Sequence, residues 1–536
     1  MSDETEGGGP EGPVEPDGPE AAEENDWPVE PGENPGPAAV ERDEEQPRRI
    51  VSPEDALTWE KLVARPVPAW YADAKLGIMI TWGPYSVPAW APPTGEFSRV
   101  VEEQGWQHWY SHNPYAEWYE NSMAIAGSPT HDHHRTRWGR TRYDTFAHLF
   151  RQGLKDWDAS RLVEPLAACG ARYLVMTAKH HDGFLLWPSR RRNPRRRGWQ
   201  VSRDLLGEVA GAARDRGLRF GVYYSGGLDW SFGGTPIRTR ADLLEAMPRS
   251  AAYAAYVDAH WRELISRYKP SILWNDMGCP SAEDLLSLFS TYYDSVPDGL
   301  LNDRFGQFEP GPHVSLVRRA ADAVVRMVSA RARAQAELGL NVPAPRYADF
   351  RAAEYALLES SPADHWECVR GLGYSFACNA EETGEHMLSV QALVHLLAHV
   401  VAHGGNLLLG IGPSGDGSIS APQLERLKGL GDWLKLNGEA IFGSRPWGDR
   451  DSTTDEGIEV RYTCRGMTTY AILLGTPQGR TIVLPSLRLL PYAGVRIIGS
   501  LGYVTWFQEG KDVHVRLTEP LRESPAHVIS ITPNPR

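Results

Sequence analysis

Apolar runs alternate with amphipathic stretches through the middle of the chain. The runs "KLGIMITWG" (75–83), "ARYLVMTAKHHDGF" (171–184) and "LRFGVYYSGGLDW" (218–230) are apolar almost throughout, as strands that are covered on both faces must be. The stretch "RDLLGEVAGAARDRG" (203–217), like others between the runs, has the helical period and a terminal glycine. The same pattern predicts strands at 271–276 and 406–412, and helices at 250–268, 282–296, 387–404 and 422–438.

Strands that alternate with helices of ten or more residues imply parallel βα units. At least six such units follow one another between residues 51 and 444. This number favours an α/β fold of the (β/α)8 barrel type over an open sheet. No GxGxxG motif opens a helix after the first strand, so a dinucleotide-binding fold has little support. Residues 309–345 have the pattern of a helical insertion in this barrel domain.

The helical pattern stops at about residue 445. Seven short strands with turn residues between them follow, from "GIEVRYTC" to "AHVISITP". Short strands at this spacing are typical of an antiparallel β-sandwich. We therefore predict a C-terminal β-sandwich domain over residues 445–536.

The net charge of −14 belongs almost entirely to the first 50 residues. They contain 16 Asp and Glu but only 3 Lys and Arg, with many Pro and Gly. This composition predicts a disordered acidic tail over residues 1–50. The remainder of the chain is nearly neutral, so it lacks the field that nucleic acid or an anionic membrane would need. The arginine run "SRRRNPRRRG" (189–198) is then best explained as a solvated loop.

The five cysteines form no CxxC pair, which indicates reduced thiols. The acidic N-terminus has no apolar signal region, and no run of 18 apolar residues occurs. We therefore expect a cytoplasmic protein without a membrane segment.

Polar side chains follow four of the predicted strands where each strand ends. They lie in the stretches Lys179–Asp182, Ser225–Asp229, Asn275–Asp276 and Asn302–Arg304. Asn-Asp before glycine is common turn chemistry, which is the alternative explanation for Asp276. In a parallel barrel, however, the carboxyl ends of all strands lie on one face, where the connecting loops build the site. Four polar strand ends on one face predict a catalytic pocket there.

The residue types at these strand ends suit sugar chemistry. Two carboxyl groups supply an acid and a nucleophile or base, and aromatic rings supply platforms for a sugar. Neither a GxSxG motif nor a P-loop occurs. The histidines at 395, 399 and 403 and the stretch "HDHH" (131–134) lack convincing metal-ligand spacing, so we predict no metal and no cofactor.

Several motifs, in the same order along the chain, match those of a known protein family. They include "KLGIMITWGPYSVPAW", "YAEWYENS", "KHHDGFLLW", "GVYYSGGLDWSF", "ILWNDMGCP", "DFRAAEY" and "NLLLGIGPSGDGSI". With these motifs the sequence closely resembles the α-L-fucosidases of glycoside hydrolase family 29. The resemblance implies a barrel followed by a β-sandwich, and exo-hydrolysis of terminal α-L-fucosides with retention through a covalent glycosyl-enzyme. A fucosylated oligosaccharide or glycoside is then the expected partner, and homo-oligomerisation stays open.

The resemblance also implies residue roles. Asp276 stands where the family has its nucleophile and Glu354 where close members have the acid/base, with Glu367 and Glu117 as rival acids. Substrate contacts are implied for Glu117, Trp118, His180, His181, Tyr223, Trp274, Arg304 and Phe376.

The sequence departs from the family at one binding position. Thr81 stands in "GIMITWG" where the family usually has a histidine that binds sugar hydroxyls, and "SFACN" replaces the usual "SFGYN". A glycosidase with another glycone specificity is therefore an alternative, and a non-catalytic sugar-binding protein is a second. The intact Asp276 and Glu354 argue against the latter.

Overall fold

The fold is given by a computed structural model, which describes residues 57–233, 236–307, 344–358, 365–500 and 502–535. The predicted acidic tail lies outside these residues, as does the predicted helical insertion up to residue 343. None of the helices in the described ranges is both long and apolar enough to cross a membrane.

Eight parallel strands form the central sheet, in the order β5-β4-β3-β2-β1-β8-β7-β6. Their bounds are β1 Leu76–Ile80, β2 Tyr173–Lys179, β3 Arg219–Ser225, β4 Ile272–Asp276, β5 Leu300–Leu301, β6 Arg351–Glu354, β7 Trp366–Gly371 and β8 Asn406–Ile411. The two ends of the sheet meet because Asn302 and Phe350 form a parallel bridge. The Asp349 N–H also donates to the Leu301 carbonyl at 2.9 Å. The predicted barrel is therefore confirmed.

Helices cover the outside of the sheet, and the first two of them precede its first strand. Their bounds are α1 Trp59–Val63, α2 Ala69–Ala74, α3 Phe97–Ser111, α4 Tyr119–Met123, α5 Pro129–Trp138, α6 Tyr143–Gly153, α7 Ala159–Ala168, α8 Leu205–Asp215, α9 Arg240–Ala246, α10 Ala251–Tyr268, α11 Leu285–Ser295, α12 Val390–Ala402 and α13 Ala421–Asn437. Side chains that accept hydrogen bonds from the first turn begin several of them, for example Ser250 before α10 and Ser389 before α12. Strands β1, β2, β4, β7 and β8 are buried at every position, which explains the apolar runs in β1, β2 and β8.

Two antiparallel sheets follow the barrel and form the predicted sandwich. Their strands are β9 Arg445–Thr453, β10 Glu459–Arg465, β11 Thr468–Leu473, β12 Thr481–Leu484, β13 Gly494–Ile497, β14 Val504–Glu509, β15 Asp512–Leu517 and β16 His527–Thr532. One sheet has the order β13-β16-β11-β10-β9 and the other β12-β15-β14. Strand β9, "RPWGDRDST", is absent from the strands expected from the sequence, because an edge strand needs no continuous apolar face.

Strand β11, in the larger sheet of the sandwich, is buried on both faces. Along β11, Ala471 and Leu473 pack in the sandwich core, whereas Tyr470 and Ile472 pack in the core shared with the barrel helices. This alternation follows from the two-residue period of a strand. The Trp433 indole N–H of α13 also donates to the Ala526 carbonyl at 3.0 Å, which connects the sandwich to the barrel.

Candidate active site

A pocket of about 680 Å3 lies where the strands of the barrel end. All the site residues predicted from the sequence line it: Thr81, Glu117, Trp118, His180, His181, Tyr223, Trp274, Asp276, Arg304, Glu354 and Phe376. The wall also contains residues that the sequence did not indicate: Met79, Phe97, Trp106, Trp109, Tyr110, Tyr115, Leu243, Met277 and Val369. The structure thus brings the predicted residues together, while their roles stay predictions.

Two of the strands end in the carboxylates of the pocket. Asp276 is the last residue of β4 and Glu354 is the last residue of β6. The next residue in each case, Met277 (φ 62°) and Tyr355 (φ 48°), adopts the left-handed conformation that non-glycine residues avoid. The backbone therefore turns away directly after each carboxylate, and each acid is held at the mouth of the barrel.

One guanidinium group connects the two carboxylates. The Arg304 Nη1 atom donates to Asp276 Oδ1 at 3.0 Å, and its Nη2 atom contacts Glu354 Oε2 at 3.4 Å. The Arg304 guanidinium also lies over the Trp274 ring, 5.1 Å from its centroid. A cation shared in this way offsets the repulsion between two neighbouring acids.

Asp276 accepts hydrogen bonds from further donors. The Tyr223 hydroxyl donates to its Oδ2 atom at 2.7 Å, and the Met277 N–H donates to Oδ1 at 2.9 Å. Oδ1 therefore accepts two hydrogen bonds, from Arg304 and Met277, whereas Oδ2 accepts one. These hydrogen bonds fix the orientation of the Asp276 carboxylate.

The pKa of Glu354 is raised, mainly because the side chain is buried. The Arg304 charge lowers this pKa, the Asp276 charge raises it, and the hydroxyl of Tyr115 lowers it by donating to Oε1 at 2.8 Å. Tyr115 was missed from the sequence, although it opens the stretch "YAEWYENS" that contains Glu117. Its position two residues before Glu117 was the only available signal.

Two neutral histidines lie beside the carboxylates. Burial lowers the pKa of His181 to about 3 and that of His180 well below its usual value. The Ser225 hydroxyl donates to the Leu228 carbonyl at 2.7 Å, so its oxygen accepts from His181 Nδ1, also at 2.7 Å. The unprotonated His181 Nε2 then faces Asp276 Oδ2 at 4.0 Å, as an acceptor for a ligand hydroxyl.

Other wall residues provide an acceptor and apolar surface. Glu117 accepts hydrogen bonds from the Ser375 hydroxyl and the Ala377 N–H, both at 3.1 Å, and burial raises its pKa to about 7. The Trp118 ring meets His181 edge to face, with centroids 5.4 Å apart. Phe376 packs in the same way on Tyr115 at 5.6 Å. These contacts fix an acidic acceptor among aromatic rings.

Glu367, a rival acid in the sequence interpretation, is not part of the pocket wall. It is completely buried behind Trp274, whose indole N–H donates to Oε1 at 3.1 Å. The Tyr173 and Tyr71 hydroxyls donate to Oε2 at 2.5 and 3.4 Å. Glu367 therefore holds Trp274 in place from behind.

Several polar residues at the strand ends also lie outside the pocket wall. Lys179 and Asp229 form a fully buried ion pair at 3.0 Å, and Asn275 donates to the Arg304 carbonyl at 2.6 Å. The predicted pocket therefore lies at these strand ends, but not every polar residue there lines it. Buried polar groups need partners, and each of these residues has one.

One group with metal-ligand atoms occurs in the described parts of the chain. His399, His403 and Asp451 offer ligand atoms within 4.8 Å of one another. The Arg461 guanidinium already lies 3.1 Å from both His399 Nδ1 and Asp451 Oδ1. The fixed positive charge of Arg461 repels a metal ion at this place. It is also the ion-pair partner of the Asp451 carboxylate, so that carboxylate needs no metal to balance its charge.

Comparison with known proteins identifies the family of this chain. The model of the family described as "Alpha-L-fucosidase" matches residues 46–439. The chain belongs to the α-L-fucosidase family. It is therefore a glycoside hydrolase of the α-L-fucosidase type, and the family resemblance is confirmed.

Several relatives of this chain are named as α-L-fucosidases or α-fucosidases. Tissue α-L-fucosidase of Mus musculus is 28% identical over 463 residues, which cover 84% of this chain and 87% of that protein. Two Thermotoga maritima α-fucosidase structures have TM-scores of 0.73 and cover 89% of this chain and 99% of theirs. One, 38% identical, holds a mechanism-based inhibitor, and the other, 37% identical, holds fucose.

The surroundings of Glu367 predict a pH-dependent stability. Burial raises its folded-state pKa from 4.5 to about 7, so its ionisation costs folding energy. The cost is absent below about pH 4.5 and grows as the pH rises to 7. At pH 8 it amounts to about 3 kcal/mol. Relative to Glu367→Gln, the wild type should therefore lose stability between pH 4.5 and 8, as measured by denaturant titration.

The exposed Glu519 provides the control for this experiment. Glu519→Gln should show no pH-dependent difference from the wild type. A constant difference between the wild type and Glu367→Gln over this pH range would contradict the raised pKa.

Proposed function

We propose that the chain is a retaining, exo-acting α-L-fucosidase that acts through a covalent glycosyl-enzyme. The observation that carries the proposal is the Arg304 guanidinium between Asp276 and Glu354. Its contact with Asp276 is the shorter of the two, Asp276 accepts two further hydrogen bonds from Tyr223 and Met277, and burial raises the pKa of Glu354. An ionised nucleophile and a protonated acid are what retaining hydrolysis requires.

In the first step, Asp276 attacks the anomeric carbon. Oδ2 is the oxygen suited to attack, because Oδ1 is engaged by both Arg304 and Met277. As the bond from this carbon to the leaving oxygen breaks, the Glu354 proton passes to that oxygen. In the second step Glu354 takes a proton from water, the resulting hydroxyl bonds to the anomeric carbon, and Asp276 is released.

The remaining wall residues are proposed to bind the sugar. The neutral His180 and His181 and the carboxyl group of Glu117 provide acceptors and donors for hydroxyl groups. Trp118 and Phe376 cover the apolar side, where a 6-deoxy sugar carries its methyl group. The relatives of Mus musculus and Thermotoga maritima are named as fucosidases, which supports fucose as the glycone.

A second candidate is a glycosidase with a different glycone. Thr81 lies in the pocket wall with 3% of its surface exposed. The threonine side chain is shorter than that of the histidine usual in the family. The pocket therefore has room there for a water molecule or a larger substituent. Glycone specificity therefore depends on what occupies this place.

The Asp276 assignment predicts the loss of hydrolysis in Asp276→Gly. Without its nucleophile the enzyme should hydrolyse an aryl α-L-fucoside at least roughly 10³-fold more slowly. Added azide should restore turnover, because it can attack the anomeric carbon from the space that the side chain leaves. Asp215→Gly, at the exposed end of α8, is the matched control and should keep full activity. Near-native activity of Asp276→Gly without azide would exclude Asp276 as nucleophile.

The Glu354 assignment predicts a dependence on the leaving group. Glu354→Ala should impair a natural glycoside much more than a nitrophenyl glycoside, because a good leaving group needs no proton. The alkaline limb of the pH–rate profile should also flatten, since that limb reports deprotonation of the acid. Glu117→Ala is measured in parallel, and if it shows this pattern instead, Glu354 is the wrong residue.

The position of Thr81 predicts how the pocket responds to Thr81→His. If the pocket is built for fucose, a regained hydrogen bond should lower KM for an aryl α-L-fucoside by about two- to tenfold. If the pocket takes another glycone, the same change should raise activity on fucose and depress it on the true sugar. Kinetics on fucoside, galactoside and 6-deoxy analogues distinguish the two. No change on any sugar would show that residue 81 does not contact substrate.

A further inference from the structure

Two basic stretches that the active site does not use meet in a second cleft. One is "HDHHRTRWGRTR" (131–142), and the other is the arginine run 189–198. The cleft is shallow and open to solvent, and its wall includes the basic side chains of His131, His134, Arg135, Arg140, Arg142 and Arg196 beside Glu120 and Asp144. Segments about 60 residues apart in the chain thus contribute cationic side chains to one place.

The backbone on the α5 side of the cleft is held in place. Helix α5 ends at Trp138, and Gly139 (φ 62°) turns the chain towards Arg140 and Arg142. His134 contacts the Thr141 carbonyl with Nε2 at 2.9 Å and the Tyr119 hydroxyl with Nδ1 at 3.0 Å. This imidazole therefore connects α5, the turn and α4, and its burial lowers its pKa.

The backbone on the opposite side is held by Asn193. Its side-chain oxygen accepts from the N–H groups of Arg195 and Arg196 at 2.8 and 3.0 Å. The Arg196 guanidinium pairs with Glu120 and lies 4.6 Å over the Trp199 ring. Both walls are therefore positioned by hydrogen bonds before any ligand arrives.

The cleft has more positive charge than its own acids balance. Arg196 pairs with Glu120, and Arg142 pairs with Asp144 at 3.2 Å. Arg135 and Arg140 are exposed, and within the described ranges neither side chain has a carboxylate partner. Two guanidinium groups are thus left to bind an anion. Their planar donor pairs suit the oxygens of a sulfate or phosphate group.

The position of the cleft indicates which kind of molecule would carry the sulfate or phosphate group. Glu120, in the cleft wall, lies on α4 three residues after Glu117, which lines the active-site pocket. The two sites therefore share one short segment of chain. In a glycosidase, the ligand that extends beyond the active-site pocket is a sugar chain. A nucleic acid is the weaker match, because a backbone phosphodiester has two free oxygens whereas a sulfate or phosphate monoester has three for the guanidinium donors.

We propose that this cleft binds the sulfate or phosphate esters of an anionic polysaccharide. The choice of a polysaccharide rests on the proposed function, whereas the recognition of the ester oxygens rests on Arg135 and Arg140 alone. The cleft would hold a charged sugar chain on the enzyme while the active-site pocket takes its terminal residue.

The test measures binding of dextran sulfate by the full-length chain. Arg135→Gln combined with Arg140→Gln should weaken this binding by about tenfold or more, because charged hydrogen bonds are lost. The control combines Arg488→Gln with Arg522→Gln, two exposed arginines of the sandwich, and should change binding by less than about twofold. Hydrolysis of an aryl α-L-fucoside should be unchanged in both variants, which separates this proposal from the catalytic one.

Three further probes define the ligand class. Uncharged dextran should not bind, inorganic sulfate alone should bind much more weakly than the polymer, and a single-stranded RNA of equal charge should bind at least about tenfold more weakly. Equal binding of RNA, or equal loss of binding in the two double variants, would show only unspecific attraction and overturn the proposal. Absence of dextran sulfate binding, or saturation by inorganic sulfate at the same affinity, would overturn it as well.

Discussion

The Arg304 guanidinium between Asp276 and Glu354 is the interaction on which the pocket depends. Two neighbouring carboxylates in a largely desolvated pocket repel each other, and each alone would be costly to ionise. Arg304 contacts both, at 3.0 and 3.4 Å, and its positive charge is itself stabilised by them. Arg304 lies closer to Asp276 than to Glu354, and burial raises the pKa of Glu354 although Arg304 lowers it.

The barrel is what makes this arrangement rigid. Asp276 and Glu354 each occupy the last position of a strand, and a left-handed residue follows each of them. Trp274 lies two residues before Asp276 and is held from behind by Glu367. Strand periodicity directs both side chains to the same side, so the hydrogen bonds behind Trp274 also stabilise the floor of the site.

Much of this could be predicted from the sequence, because buried parallel strands are long apolar runs and their carboxyl ends share a face. Strands β6 and β7 were not separately indicated, since "RAAE" and "WECVRG" lack such a run. The hydrogen bond from Tyr115 to Glu354 joins residues 239 positions apart, which no local pattern reveals. Polarity alone also does not separate Asp276 from Asp229, which is paired with Lys179 away from the pocket wall.

Trapping of the covalent intermediate tests the central proposal most directly. A 2-deoxy-2-fluoro fucosyl donor with a good leaving group forms the glycosyl-enzyme but slows its hydrolysis. After digestion, mass spectrometry should find one fluorofucosyl group per chain, on Asp276 in the peptide that contains "ILWNDMGCP". Turnover of a fucoside without any labelled peptide, or a label on Glu354 or Glu117, would contradict the account.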